Sequence, residues 1–127
     1  MKKRLISILM HVSAGLMGAG GLLMLFAAQE MAAALGGESH LVVALWGAAL
    51  IGFGAMNWTA RSLPLGGIYG RAVVAGNQAH SFVGAMVLLN AAYTHAGNAP
   101  VVALLVLYLI LAAAFSYLLF RASGLDT

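Results

Sequence analysis

Most of the side chains able to do chemistry in this chain crowd into one stretch, Gly52 to His80, reading GFGAMNWTARSLPLGGIYGRAVVAGNQAH. It holds Asn57, Thr59, Asn77, Gln78 and His80, and Arg61 and Arg71 bracket its polar turn. Elsewhere His11, Ser116 and Tyr117 fall inside apolar runs, while Glu30, Glu38, His40 and His95 lie near the ends of such runs. Neutral imidazole, amide and hydroxyl groups in apolar runs have three uses. They can hydrogen-bond one another between helices. They can line a cavity that binds a lipid head group or a small molecule. Two imidazoles on facing helices at similar depth can ligate a haem iron. His11 and His80 form the pair for that last use, and His40 and His95 a second pair at the opposite edge. Neither histidine-bearing span has the two-histidine spacing of typical dihaem membrane cytochromes. Glu30, Glu38, His40 and His95 also make a weak outer metal set on loops.

Other chemistries are missing from the sequence. There is no cysteine, which removes disulfides, thiolate metal sites and cysteine nucleophiles. No motif for hydrolysis, phosphate binding or nucleotide binding is present. The Gly66-Gly67 pair lacks the lysine and the spacing of a phosphate loop. A proton-coupled carrier normally places acidic or basic residues inside its spans, and the apolar runs here have none. The reading therefore leans away from an enzyme, with no cofactor assigned, and the competing class is a haem-binding electron carrier or an enzyme that uses the histidines.

The elements that must position these residues follow from composition. Of 127 residues, 63% are hydrophobic and 7% charged, against roughly 25% charged in a soluble domain. So few charges cannot cover a globule in water, so the solvent is lipid. A net charge of +3 from six basic and three acidic residues is too sparse for a nucleic-acid footprint. The length allows one domain.

Four apolar runs of transmembrane length are legible, at about 5–28, 41–60, 72–92 and 101–120. The first follows a basic start, Met1-Lys2-Lys3-Arg4. Its length exceeds the roughly 7–15 residues of a signal-peptide core, so it reads as a retained span, with cleavage after Ala28 as the lesser reading. Gln29 to Ser39, Arg61 to Gly70 and Tyr93 to Pro100 read as loops, and Arg121 to Thr127 as a polar tail. Pro100 suits a helix start. The expected fold is an all-α integral membrane protein, an antiparallel four-helix bundle. All six basic residues (Lys2, Lys3, Arg4, Arg61, Arg71 and Arg121) fall at one side, while the opposite loops carry Glu30 and Glu38. The positive-inside rule then puts both termini in the cytoplasm. Arg61 and Arg71 become contacts for anionic lipid head groups.

Sixteen glycines point to close helix approach through small residues. The expected faces are His11, Gly15, Gly18, Ala19 and Leu22 on the first span, Ala48 and Gly52 on the second, and Gly76, His80 and Gly84 on the third. Met10, Met17, Met24 and Met31 recur every seven residues, about 10.5 Å apart along a helix. That is too far for two to share a copper ion, so they read as packing. Trp46, Trp58, Tyr69, Tyr93 and Tyr117 read as aromatic belts at the interfaces.

Counting inward from the basic edge, all four spans carry polar groups in the cytoplasmic half. His11, Asn57, Asn77, His80, Ser116 and Tyr117 form this layer. A faint parallel repeat aligns His11-x-x-x-Gly15-x-Met17 with His80-x-x-x-Gly84-x-Met86, and Val42-Val43-Ala44-Leu45 with Val101-Val102-Ala103-Leu104. It would place His11 and His80 at similar depth.

At GFGAMNWTAR, GGIYGR and N-x-x-H (Asn77 and His80) the chain resembles a group of small bacterial four-span inner-membrane proteins with no assigned activity. The resemblance covers mainly residues 50–84. It implies a bacterial inner-membrane location and a four-helix layout, and it implies no reaction. It singles out Asn57, Trp58, Arg61, Arg71, Asn77 and His80. The leading expectation is an accessory or binding module in the lipid bilayer, self-associating or held in a larger membrane complex, with no nucleic-acid partner. The alternatives are a haem-binding electron carrier using His11 and His80, and an oligomeric small channel or carrier.

Overall fold

The structure is a computed structural model that describes residues 2–122. The expected polar tail lies, from residue 123 on, outside the described residues. Within them the chain forms α1 (Lys2–Phe26), α2 (Ala28–Ala34), α3 (His40–Ala60), α4 (Ile68–Thr94) and α5 (Ala99–Ala122). All but α2 are long and apolar enough to cross a membrane. The 21 residues of α3 span about 31 Å at 1.5 Å per residue, which matches a hydrocarbon core of about 30 Å. Exposed Leu, Ile, Val and Phe side chains cover every long helix. That outer surface is stable only against lipid.

The four long helices form an antiparallel bundle of two hairpins. α1 lies along α3 and α4 along α5, while α3 meets α4 over a shorter length. In the first hairpin, a Cβ built on Gly21 would lie 2.6 Å from the Gly47 carbonyl oxygen, and one on Gly54 would lie 2.8 Å from the Gly18 nitrogen. Only glycine lets two backbones approach that closely. Met10, Met17 and Met24 are buried in the same seam, so the heptad methionine stripe is packing.

The small-residue faces differ from expectation. Gly15, Ala19, Ala48 and Gly52 are exposed, and a Cβ on Gly15 or Gly52 would meet open space. Of those expected small residues Gly18 does reach the seam, half-buried against Gly54, and the seam otherwise runs through the buried Ala14, Gly21, Gly47 and Gly54. In spans with apolar or small residues on every side, spacing does not show which stripe faces the neighbour. The repeat register shifts for the same reason. Met10, Ser13, Met17, Gly21 and Met24 in α1 share their spacing with Val74, Asn77, Ser81, Ala85 and Leu88 in α4, and all are buried. His11 and His80 are not equivalent in that register.

The segment expected as a loop from Gln29 to Ser39 begins as helix α2. The hydrogen bonds Ala27 N–H to Leu23 O and Met31 N–H to Ala27 O, both 2.9 Å, carry the ladder across the break. α2 is thus a bent continuation of α1, ended by Gly36 and Gly37 at φ +102° and +85°, a conformation that glycine adopts without strain. Helix α4 starts at Ile68 and runs to Thr94, longer at both ends than the hydropathy suggested. At the start of α5, the Asn98 side-chain oxygen accepts the Val101 N–H at 3.2 Å, while its amide donates to the Ala34 carbonyl at 2.9 Å. One side chain thereby caps α5 and ties the two hairpins together at the acidic end.

Candidate functional site

Two polar groupings lie inside the bundle. The first is a clamp between hairpins. Asn57 on α3 and Asn77 on α4 are both fully buried and exchange two amide hydrogen bonds, 2.9 Å from Asn57 Nδ2 and 2.6 Å from Asn77 Nδ2. Asn57 Nδ2 also donates to Ser13 Oγ at 3.2 Å, and the Ser13 hydroxyl donates to the Met10 carbonyl at 3.1 Å. Asn77 Nδ2 donates to the Val73 carbonyl at 2.9 Å. Three helices meet here with their amide groups satisfied by one another. This is what buried amides need in a medium without water.

The second grouping is aromatic and sits deeper. His80 lies twelve residues after Ile68 and fourteen before Thr94, or about 18 and 21 Å from the two ends of α4. It is therefore near the middle of α4. Its Nε2 is 3.2 Å from the Tyr108 hydroxyl, which also accepts the Trp46 indole N–H at 2.9 Å. Phe53 stacks on the imidazole at 4.4 Å between centroids. The Tyr108 ring lies directly over Gly84, one helical turn from His80. The missing Cβ at Gly84 lets the phenol reach α4.

Above these groups a cleft of about 440 Å³ opens between α3 and α4 toward the acidic end. Val42, Val83 and Val87 line its walls, Trp46, His80 and Tyr108 supply its polar atoms, and Glu38 stands at its rim. α3 and α4 meet over a short length and are joined by the asparagine clamp, and the cleft lies between them on the other side of His80.

The sequence-predicted residues are distributed as follows. Asn57 and Asn77 are together in the clamp, and His80 lines the cleft. His11 is exposed on the outside of α1, where its Nδ1 lies 2.7 Å from the Ser7 carbonyl oxygen and its ring meets the edge of Trp58 at 5.5 Å. His80 instead contacts Tyr108 and Phe53. Ser116 is half-buried and accepts from Gln78 at 3.4 Å. Tyr117 is exposed, with Arg121 over its ring at 5.3 Å. Arg61 folds back over Trp58 at 4.1 Å and donates to the Trp58 carbonyl. Arg71 borders a shallow groove with Ala72, Ala75, Leu119 and Phe120 at the basic end. Among the described residues no three of His, Cys, Asp and Glu come together as a metal site would require. His95 packs under Gly36, with a Cβ there 3.2 Å from the imidazole.

Sequence reasoning missed Tyr108 and assigned Trp46 to an interface belt. Trp58, Tyr69, Tyr93 and Tyr117 are exposed, as a belt would be, but Trp46 points into the cleft. A signal was present: Tyr108 falls mid-span in α5, where its hydroxyl requires a partner.

The chain matches no protein-family model, no curated protein and no solved structure. The geometry of the cleft therefore carries the functional reading.

Proposed function

We propose that this chain is a small, non-enzymatic binding module of the bacterial inner membrane, with both termini in the cytoplasm. Its occupant is a lipid-soluble molecule held in the cleft between α3 and α4. The observation that carries this reading is the cleft itself. It is about 440 Å³ in volume, walled by valines and floored by the hydrogen-bonded Trp46–Tyr108–His80 set. Ligand sites are typically apolar cavities of about 300–1,000 Å³ with a few placed polar groups. Lipid is the only phase that such a ligand would cross to arrive laterally. The asparagine clamp belongs to the scaffold that holds the cleft open.

Placement in the inner membrane rests on the resemblance at GFGAMNWTAR, GGIYGR and Asn77-x-x-His80, and orientation on the one-sided basic residues. In this orientation Arg61 and Arg71 face anionic head groups, and the cleft opens away from the cytoplasm. The outward Gly15, Ala19, Ala48 and Gly52 support self-association as a secondary partner reading.

Mass spectrometry of organic extracts from protein purified in mild detergent tests the binding reading. Wild type is expected to retain a lipid-soluble compound near one per chain. Val87→Trp is expected to lose it, because Val87 lines the cleft yet is 63% exposed, so a larger ring there blocks the cleft without entering the core. Equal retention by both proteins would refute the site.

A further inference from the structure

Taking the cleft as a binding site, we infer that its ligand is a neutral, lipid-soluble carbonyl compound on a flat ring, of the quinone class, whose oxygen accepts a hydrogen bond from the His80–Tyr108 pair.

The hydrogen-bond inventory points there. The Trp46 N–H is used on the Tyr108 oxygen, and one proton lies between that oxygen and His80 Nε2. If the phenol donates to Nε2, the imidazole carries its remaining proton on Nδ1. If Nε2 donates to the phenol, both lone pairs of the phenol oxygen are used and its own O–H is free. Among the described residues nothing bonds to His80 Nδ1. Each tautomer therefore leaves one unspent N–H or O–H on a residue that lines the cleft. A donor without a partner is costly in hydrocarbon, and a carbonyl oxygen satisfies it in both states.

Depth narrows the source of that carbonyl. His80 is about 18–21 Å from either end of its helix. Phospholipid ester groups sit at the edge of a hydrocarbon core about 30 Å thick, so they cannot reach it. The carbonyl must travel on a head group that is itself soluble in hydrocarbon. Ring shape follows from the surfaces on offer. Trp46, Tyr108 and His80 line the cleft, with Tyr108 in ring contact with both of the others, and aromatic faces and edges favour another planar ring over a flexible chain. The valine walls toward the acidic end take the tail.

Tryptophan fluorescence reads this directly, since Trp46 is in the site and Trp58 is on the outer surface. The protein is studied in detergent as Trp58→Phe, which leaves Trp46 as the reporter, and titrated with a short-chain alkylated naphthoquinone. The matching alkylnaphthalene, without carbonyls, is the comparison probe. Trp46→Phe, with Trp58 as reporter, controls for collisional quenching. Saturable quenching of Trp46 near one quinone per chain is expected, with the hydrocarbon binding about tenfold more weakly, as one lost hydrogen bond predicts. The double variant His80→Phe/Tyr108→Phe removes both donors while keeping a ring at each position, and it is expected to lose the same factor, with a melting curve confirming that it folds. Equal affinity for both probes, or full affinity in the double variant, would overturn the carbonyl assignment and leave a cleft for apolar ligands. No saturable binding of either probe would overturn the cleft reading itself.

Discussion

At the residue scale, the Asn57–Asn77 exchange sets the register between the two hairpins. Each amide is fully buried and bonded to the other, so removing one strands its partner. Asn77→Leu is expected to lower stability by about 1–2 kcal/mol, in line with interhelical hydrogen bonds in lipid and the cost of an orphaned amide. The double variant Asn57→Leu/Asn77→Leu should cost nearly the same as the single one, because the second change removes the stranded group. Unfolding in mixed detergent measures both, and additive losses would contradict a shared bond. His11 makes the opposite case. Its hydrogen-bond contacts are local, to Ser7 one turn away, and its ring is exposed. His11→Ala should change stability by less than about 1 kcal/mol. It should also leave cleft occupancy unchanged, which the same extraction and mass spectrometry would show.

At the element scale, the first hairpin depends on backbone approach. A Cβ on Gly47 would lie 2.7 Å from the Gly21 carbonyl oxygen and 3.0 Å from the Leu25 nitrogen. Both are backbone atoms, so no side chain can swing away and the helices must part. Gly47→Ala is expected to cost about 1–3 kcal/mol, the range for overpacking. Gly52→Ala, on the same helix but facing open space, should be neutral or stabilising by up to about 1 kcal/mol through helix propensity. Thermal melts of the two variants compare them directly, and equal losses would show that α3 faces α1 with a different stripe. The second hairpin uses its small residue differently. Gly84 admits the Tyr108 ring, so the space left by a missing Cβ there positions a functional group in place of a second backbone.

At the scale of the whole molecule, the charge asymmetry predicts topology. Ser62 lies in the turn at the basic end and Ser39 at the acidic end, and both are exposed. The chain has no cysteine, so Ser39→Cys and Ser62→Cys each give a single labelling site. A membrane-impermeant maleimide applied to spheroplasts is expected to label Ser39→Cys, and to label Ser62→Cys only after lysis. The reverse pattern would invert the bundle and turn the cleft toward the cytoplasm. The two ends of the molecule also divide their work. The basic half is closed by the asparagine clamp, and the outer half is left open between α3 and α4, joined across the top by Asn98.

The sequence by itself determined the medium, the number of spans and their alternating direction. These depend on composition, run length and the placement of six basic residues, which are local quantities that lipid reads directly. It also pointed to Asn57, Asn77 and His80, because amides and imidazoles inside an apolar run are conspicuous wherever they face. It could not determine facing. In α1 and α3 the outer stripe of Gly15, Ala19, Ala48 and Gly52 is as small as the buried one, so periodicity did not separate them, and His11 was assigned inward though it is exposed. It could not join Trp46 to Tyr108 either, since that bond spans 62 positions and depends on how far two hairpins lean apart. The tertiary structure alone decided the cleft, because a cavity is a property of helix separation. That separation is set where Gly21 meets Gly47, where Asn57 meets Asn77, and where Gly84 lets Tyr108 in.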